Sequence, residues 1–86
     1  MDNNAEQRNH GPQPLDLLMT ELGIANRELV GASTGQLTHK QVQKGRKGRK
    51  LTPNLQRKIA NALNAICAGR EIDRVFKRAD LFNYGP

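Results

Sequence analysis

The residues of this chain with reactive side chains are few and badly spaced for catalysis. Cys67 is the single cysteine, and the two histidines, His10 and His39, lie far apart in sequence. No zinc-ligand spacing follows from them, and no metal or cofactor is expected. Gly45 and Gly48 in the run GRKGRK lack both the GxxxxGK[ST] spacing and the preceding strand of a phosphate-cradling loop. Carboxylates are confined to the two ends of the chain, with none between Glu28 and Glu71, so no pair is placed for acid–base work and an enzyme is not expected. The chemistry these residues favour is ionic. Between the two glutamates stand Lys40, Lys44, Arg46, Lys47, Arg49, Lys50, Arg57, Lys58 and Arg70, with no acid among them to pair against. Such a run repels itself, and a polyanion relieves the repulsion. A nucleic acid is the expected partner, and the helix arrangement described below makes double-stranded DNA the first candidate. RNA or non-specific nucleic acid bound by the basic 40–50 segment is an alternative, as is a non-enzymatic protein-interaction module whose basic face meets an acidic partner.

The elements that must position these charges are helical. The chain has 86 residues, 36% of them hydrophobic, with no Trp and a net charge of +6. That length holds one domain. Its apolar residues fall in clusters that suit an all-α, compact bundle of four to five short helices. A lone cysteine fits a reducing, intracellular and therefore cytoplasmic setting. No apolar run approaches the roughly 18 residues of a membrane span, so no membrane partner is expected. Residues 1–13 are polar, carry no signal-peptide core and are expected to form a flexible tail, with the domain over 14–84.

Pro14 suits the first turn of a helix whose Leu15, Leu18 and Leu22 share a face and which Gly23 ends. Asn26 is expected to cap a short helix carrying Leu29 and Val30 that stops near Ser33. Thr38 is expected to cap a third helix ending between Gly45 and Gly48. Thr52 and Pro53 open a longer helix over 52–68, with Leu55, Ile59, Leu63 and Ile66 as its buried stripe and Gly69 as its end. A last helix from Glu71 to Arg78 is expected to turn Ile72, Val75, Phe76 and Ala79 inward, making 71–84 a short helix and apolar tail. Together with Leu81, Phe82 and Tyr84 this group either closes the monomer's own core or joins two copies in a homodimer.

With Val42 facing the core, a step of 100° per residue turns Lys40, Lys44 and Lys47 outward, flanked by Gln41 and Gln43. A helix with one apolar edge and a Lys/Gln face can enter a major groove. Two short helices joined by the small residues Gly31-Ala32-Ser33-Thr34-Gly35, the second helix basic, form a helix-turn-helix arrangement.

Over about residues 14–68 the chain resembles the phage-repressor-like (Cro/C1-type, lambda repressor-like) helix-turn-helix DNA-binding family. Three segments carry the resemblance: Ile24-Ala25-Asn26-Arg27-Glu28-Leu29-Val30, Leu37-Thr38-His39-Lys40-Gln41-Val42, and Leu51-Thr52-Pro53 through Ile59-Ala60-Asn61-Ala62-Leu63. It implies sequence-specific binding of double-stranded DNA by a transcriptional regulator of a bacterial or phage-like cytoplasm, acting by operator occupancy and nucleoid-associated when bound. It further implies base-edge contacts from Thr38, His39, Lys40 and Gln43. Phosphate contacts are expected from Asn26 and Arg27 and from Gln41, Lys44, Arg46, Lys47, Arg49 and Lys50. Two features depart from the family. The connection leading to Leu37 is longer, and Gly45 stands where an isoleucine or leucine often anchors the recognition helix.

Overall fold

Proline and glycine signals account for the ends of the first helix in the computed structural model, which describes residues 11–84. Helix α1 (Pro14–Leu22) begins at the proline, where a missing N–H removes no helical bond. It ends at Gly23, whose left-handed backbone (φ 69°) turns its N–H onto the Thr20 carbonyl at 3.2 Å. Helix α2 (Asn26–Ala32) is followed by α3 (His39–Lys47), and both ends of α3 are well closed. Thr38 Oγ1 accepts from the Gln41 N–H at 3.1 Å while Gln41 Oε1 accepts from the Thr38 N–H at 3.0 Å. These reciprocal bonds satisfy two donors that the helix itself leaves over. Helix α4 (Pro53–Gly69) carries the Thr52 cap and the Pro53 start foreseen from sequence. A single turn, α5 (Arg78–Leu81), completes an all-α bundle.

Leu15, Met19, Leu29, Val42, Ile59, Leu63, Cys67 and Leu81 are fully buried. Helix α4 packs on α2 and α5, and α3 packs on α1 and α2, so α3 is fixed to the bundle from two neighbours. Among the described residues no helix is long and apolar enough to cross a membrane.

Several expectations are corrected. The cap of α2 is Ala25, not Asn26. Glu28 Oε1 accepts the Ala25 N–H at 2.8 Å, which closes the first turn and releases the Asn26 side chain for other partners. The helix expected over Glu71–Arg78 does not form. Helix α4 ends at Gly69 as expected, and Glu71 takes the left-handed conformation just beyond it (φ 59°), with the Ile72 N–H on the Cys67 carbonyl at 2.8 Å and the Glu71 N–H on the Ala68 carbonyl at 3.1 Å. That pair of bonds turns the chain sharply out of the helix. Asn64 then holds the backbone of Phe76 from both sides: Nδ2 donates to its carbonyl at 2.9 Å and Oδ1 accepts from its N–H at 2.8 Å. A residue held this way is withdrawn from any helical ladder. Val75 is consequently 82% exposed rather than inward, while Phe76, Leu81 and Phe82 are buried in the monomer's own core.

The face of α1 is as expected, with Leu15 buried and Leu18 and Leu22 packed against the core; Met19 is buried with them and Leu17 is 66% exposed. At the start of the domain, residues 1–10 of the expected tail lie outside the described residues. Gln13, assigned to that tail, is buried. Its N–H donates to the Arg46 carbonyl at 3.2 Å, its Nε2 donates to the Gly11 carbonyl at 3.0 Å, and its Oε1 accepts from the Asn83 N–H.

Candidate nucleic-acid interface

The inner edge of α3 determines how its outer face stands. Leu37, just ahead of the helix, is buried, as are Val42 and Gly45 within it. The glycine has a specific cause. A Cβ at Gly45 would lie 2.8 Å from Leu51 Cδ1 and 3.5 Å from Phe82 Cε1, so Leu51 and Phe82 pack against the helix where a larger residue would have pushed them away. The anchor absent from the helix is supplied from outside it.

His39, Lys40, Gln43, Lys44 and Lys47 are exposed on the opposite side. With Asn26 and Arg49 they line one open depression. A second depression shares Lys44 and Arg49 and adds Gln41 and Lys50 beside Leu51, Thr52 and Leu55. Neither is lined by an acidic residue. Most of the residues expected to touch nucleic acid are thereby brought onto one continuous stretch of surface. Thr38 is exposed, but its hydroxyl is engaged in capping α3. Arg27 is exposed on α2 and lines neither depression.

Arg46 stands elsewhere. Its side chain is only 19% exposed, and its guanidinium faces α1. Nε donates to Asp16 Oδ1 at 2.6 Å, Nη1 to Asn26 Oδ1 at 2.7 Å and Nη2 to Thr20 Oγ1 at 3.4 Å. Asn26 in turn donates from Nδ2 to Gln43 Oε1 at 2.8 Å. A polar chain thus runs from α1 through α3 and α2 back to the exposed face of α3. Asp16 and Thr20 were not singled out from sequence. Their role depends on α1 crossing α3, which no local spacing reveals.

The acids in the described residues, on α1, α2 and residues 71–80, line neither depression. Glu28 pairs with Arg70, and Glu21 with Arg74 at 3.4 Å. The Glu28 carboxyl is held below its ordinary range, chiefly by the Ala25 N–H that it accepts; burial opposes this, and the Arg70 guanidinium adds to the lowering. Among the described residues no group of three or more His, Cys, Asp or Glu is placed to hold a metal ion. What the surface offers is therefore cations and amide donors around one helix. No protein-family model, curated protein or solved structure shows a significant match to this chain.

Proposed function

We propose that this protein binds double-stranded DNA sequence-specifically, with α2, the connection over 33–38 and α3 acting as a helix-turn-helix, and that it regulates transcription by occupying its site. The observation that carries the reading is the exposed His39, Lys40, Gln43, Lys44 and Lys47 face of a helix whose other edge is locked into the core. A rigid helix presenting cations and amides fits the major groove, where amides and lysines read base edges. Lys44, Lys47, Arg49 and Lys50 stand along the same surface, where they would neutralise phosphates and set the register. Two copies on a palindromic site complete the reading, because one such module covers little DNA on its own.

The basic 40–50 run is largely helical and pinned at Gly45. That favours groove insertion over a pliant segment that folds onto RNA. Selection from a random duplex library tests the proposal. The expected result is a twofold-symmetric consensus bound with a log–log salt slope of magnitude near 0.9 per phosphate contacted. Recovery of no consensus, together with equal binding of scrambled duplex and structured RNA, would overturn it.

A further inference from the structure

Arginine has only donors, so an asparagine facing it must do so with its oxygen. This rule, applied to the polar chain beneath α3, determines the orientation of a side chain on the exposed surface. Asp16 Oδ1 receives Arg46 Nε at 2.6 Å and anchors the guanidinium, which then directs Nη1 at Asn26 at 2.7 Å. Asn26 must meet it with Oδ1. Its Nδ2 is left to face Gln43 at 2.8 Å, and Gln43 must answer with Oε1. Three consecutive bonds leave no freedom to exchange oxygen for nitrogen anywhere along the chain. The group that Gln43 turns outward is consequently its NH₂.

We infer that Asp16, Arg46 and Asn26 form a relay that makes Gln43 a hydrogen-bond donor on the exposed face of α3, so that it selects a base edge rich in acceptors, guanine, in place of the adenine that an unconstrained glutamine recognises. Bidentate recognition of adenine needs the amide oxygen and nitrogen together. Here the oxygen is engaged by Asn26, and the two amide hydrogens match the N7 and O6 acceptors of guanine. The inference rests on the DNA-binding reading for its ligand, but the orientation of Gln43 stands on the protein alone. Asn26 is a positioning residue in this scheme, acting on DNA through Gln43.

Asn26→Asp provides the test, because a carboxylate still accepts from Arg46 but has nothing to donate. Gln43 must then reverse, giving its NH₂ to the new carboxylate and turning its oxygen outward. In duplex selections carried out side by side, the parent is expected to prefer guanine at one position of each half-site. The variant is expected to prefer a base with an exocyclic amino group there, cytosine or adenine, the discrimination changing by about tenfold. The added negative charge weakens all duplexes alike, so preferences are compared within each protein. An unchanged guanine preference in the variant would overturn the relay. NMR of the free protein reads the same relay without DNA. Scalar coupling across the hydrogen bond from Asn26 Nδ2 to the Gln43 side-chain carbonyl is expected in the parent, and from Gln43 Nε2 to the carboxylate in the variant. Coupling in the opposite sense in the parent defeats the inference whatever the protein binds. The expected couplings with no duplex selected by either protein would uphold the orientation and defeat the DNA reading alone.

Discussion

Glu28 closes the first turn of α2 through the Ala25 N–H and pairs with Arg70 beyond the end of α4. Both interactions favour the ionised carboxyl, which is why its pKa lies below the ordinary value. A group with a lowered folded-state pKa contributes stability that is complete above the unfolded value, about 4.3 for glutamate. That contribution is lost as pH falls through the folded value. Glu28→Gln keeps an acceptor for Ala25 but removes the charge. The variant is expected to be less stable than the parent near neutral pH and to converge with it in acid, as measured by urea unfolding across that range. Parallel curves would show that the charge contributes nothing. Arg46 teaches a related lesson at this scale. In sequence it is one cation of a basic run, and only the approach of Asp16 separates it from the lysines beside it.

At the scale of elements, α3 depends on a residue with no side chain. Glycine within a helix forfeits about 1 kcal/mol relative to alanine, yet Gly45 admits Leu51 and Phe82. Gly45→Ile is expected to destabilise the domain by about 2–3 kcal/mol through overpacking. Thermal unfolding checks this, and an unchanged or raised Tm would show that Leu51 moves aside freely. The end of α4 offers the opposite case. Glu71 holds a left-handed backbone that suits glycine, so Glu71→Gly is expected to stabilise by about 1 kcal/mol, a rise in Tm of about 4–8 °C for a domain of this size. A fall in Tm would mean that the Glu71 side chain contributes more than the backbone strain costs.

Much of this architecture was legible in the sequence, because caps act locally: Pro14, Gly23, Thr38, Gly48 and Thr52 mark helix ends where they were expected. The outward direction of Lys40, Lys44 and Lys47 followed from helical periodicity once Val42 was placed inward. What local signals could not disclose were partnerships across long separations. Asn64 reaching Phe76 undid a helix that the apolar spacing of 72–79 supported, and Asp16 reaching Arg46 removed a cation from the surface.

At the scale of the whole molecule, two depressions among the described residues differ in character. The α3 depression is lined by cations and amides, whereas a separate groove lined by Pro14, Leu17, Leu18, Glu21, Arg74, Val75, Phe76 and Asp80 is apolar with both signs of charge at its rim. The two share no residue. If two copies pair on DNA as proposed above, this groove is where they would meet. Glu21 pairs with Arg74 there and Asp80 lines the same groove, so each of two copies related by a twofold axis would bring both signs of charge to the contact. Replacing both Leu17 and Val75 with Glu is expected to convert a two-to-one protein–duplex complex into a one-to-one complex and to lower affinity for the full site by at least about tenfold. Analytical ultracentrifugation with the selected duplex reads the stoichiometry, and two bound copies of the double variant would exclude this face.

The clasp at Gln13 has a consequence in time rather than in space. It joins backbone groups of residues near 13, 46 and 83, so it closes one of the longest loops in the chain. Loop-closure entropy delays such contacts until local helices and their nearest packing have formed. An interaction made after the folding barrier governs how long the native state survives, not how quickly it is reached. Gln13→Ala is therefore expected to raise the unfolding rate by about tenfold and to leave the folding rate nearly unchanged. The Gln13 N–H bond to the Arg46 carbonyl does not use the side chain and survives the substitution, so the junction with Asn83 is what loosens. Stopped-flow chevrons separate the two limbs, and a slowed folding limb would place the clasp within the transition state instead.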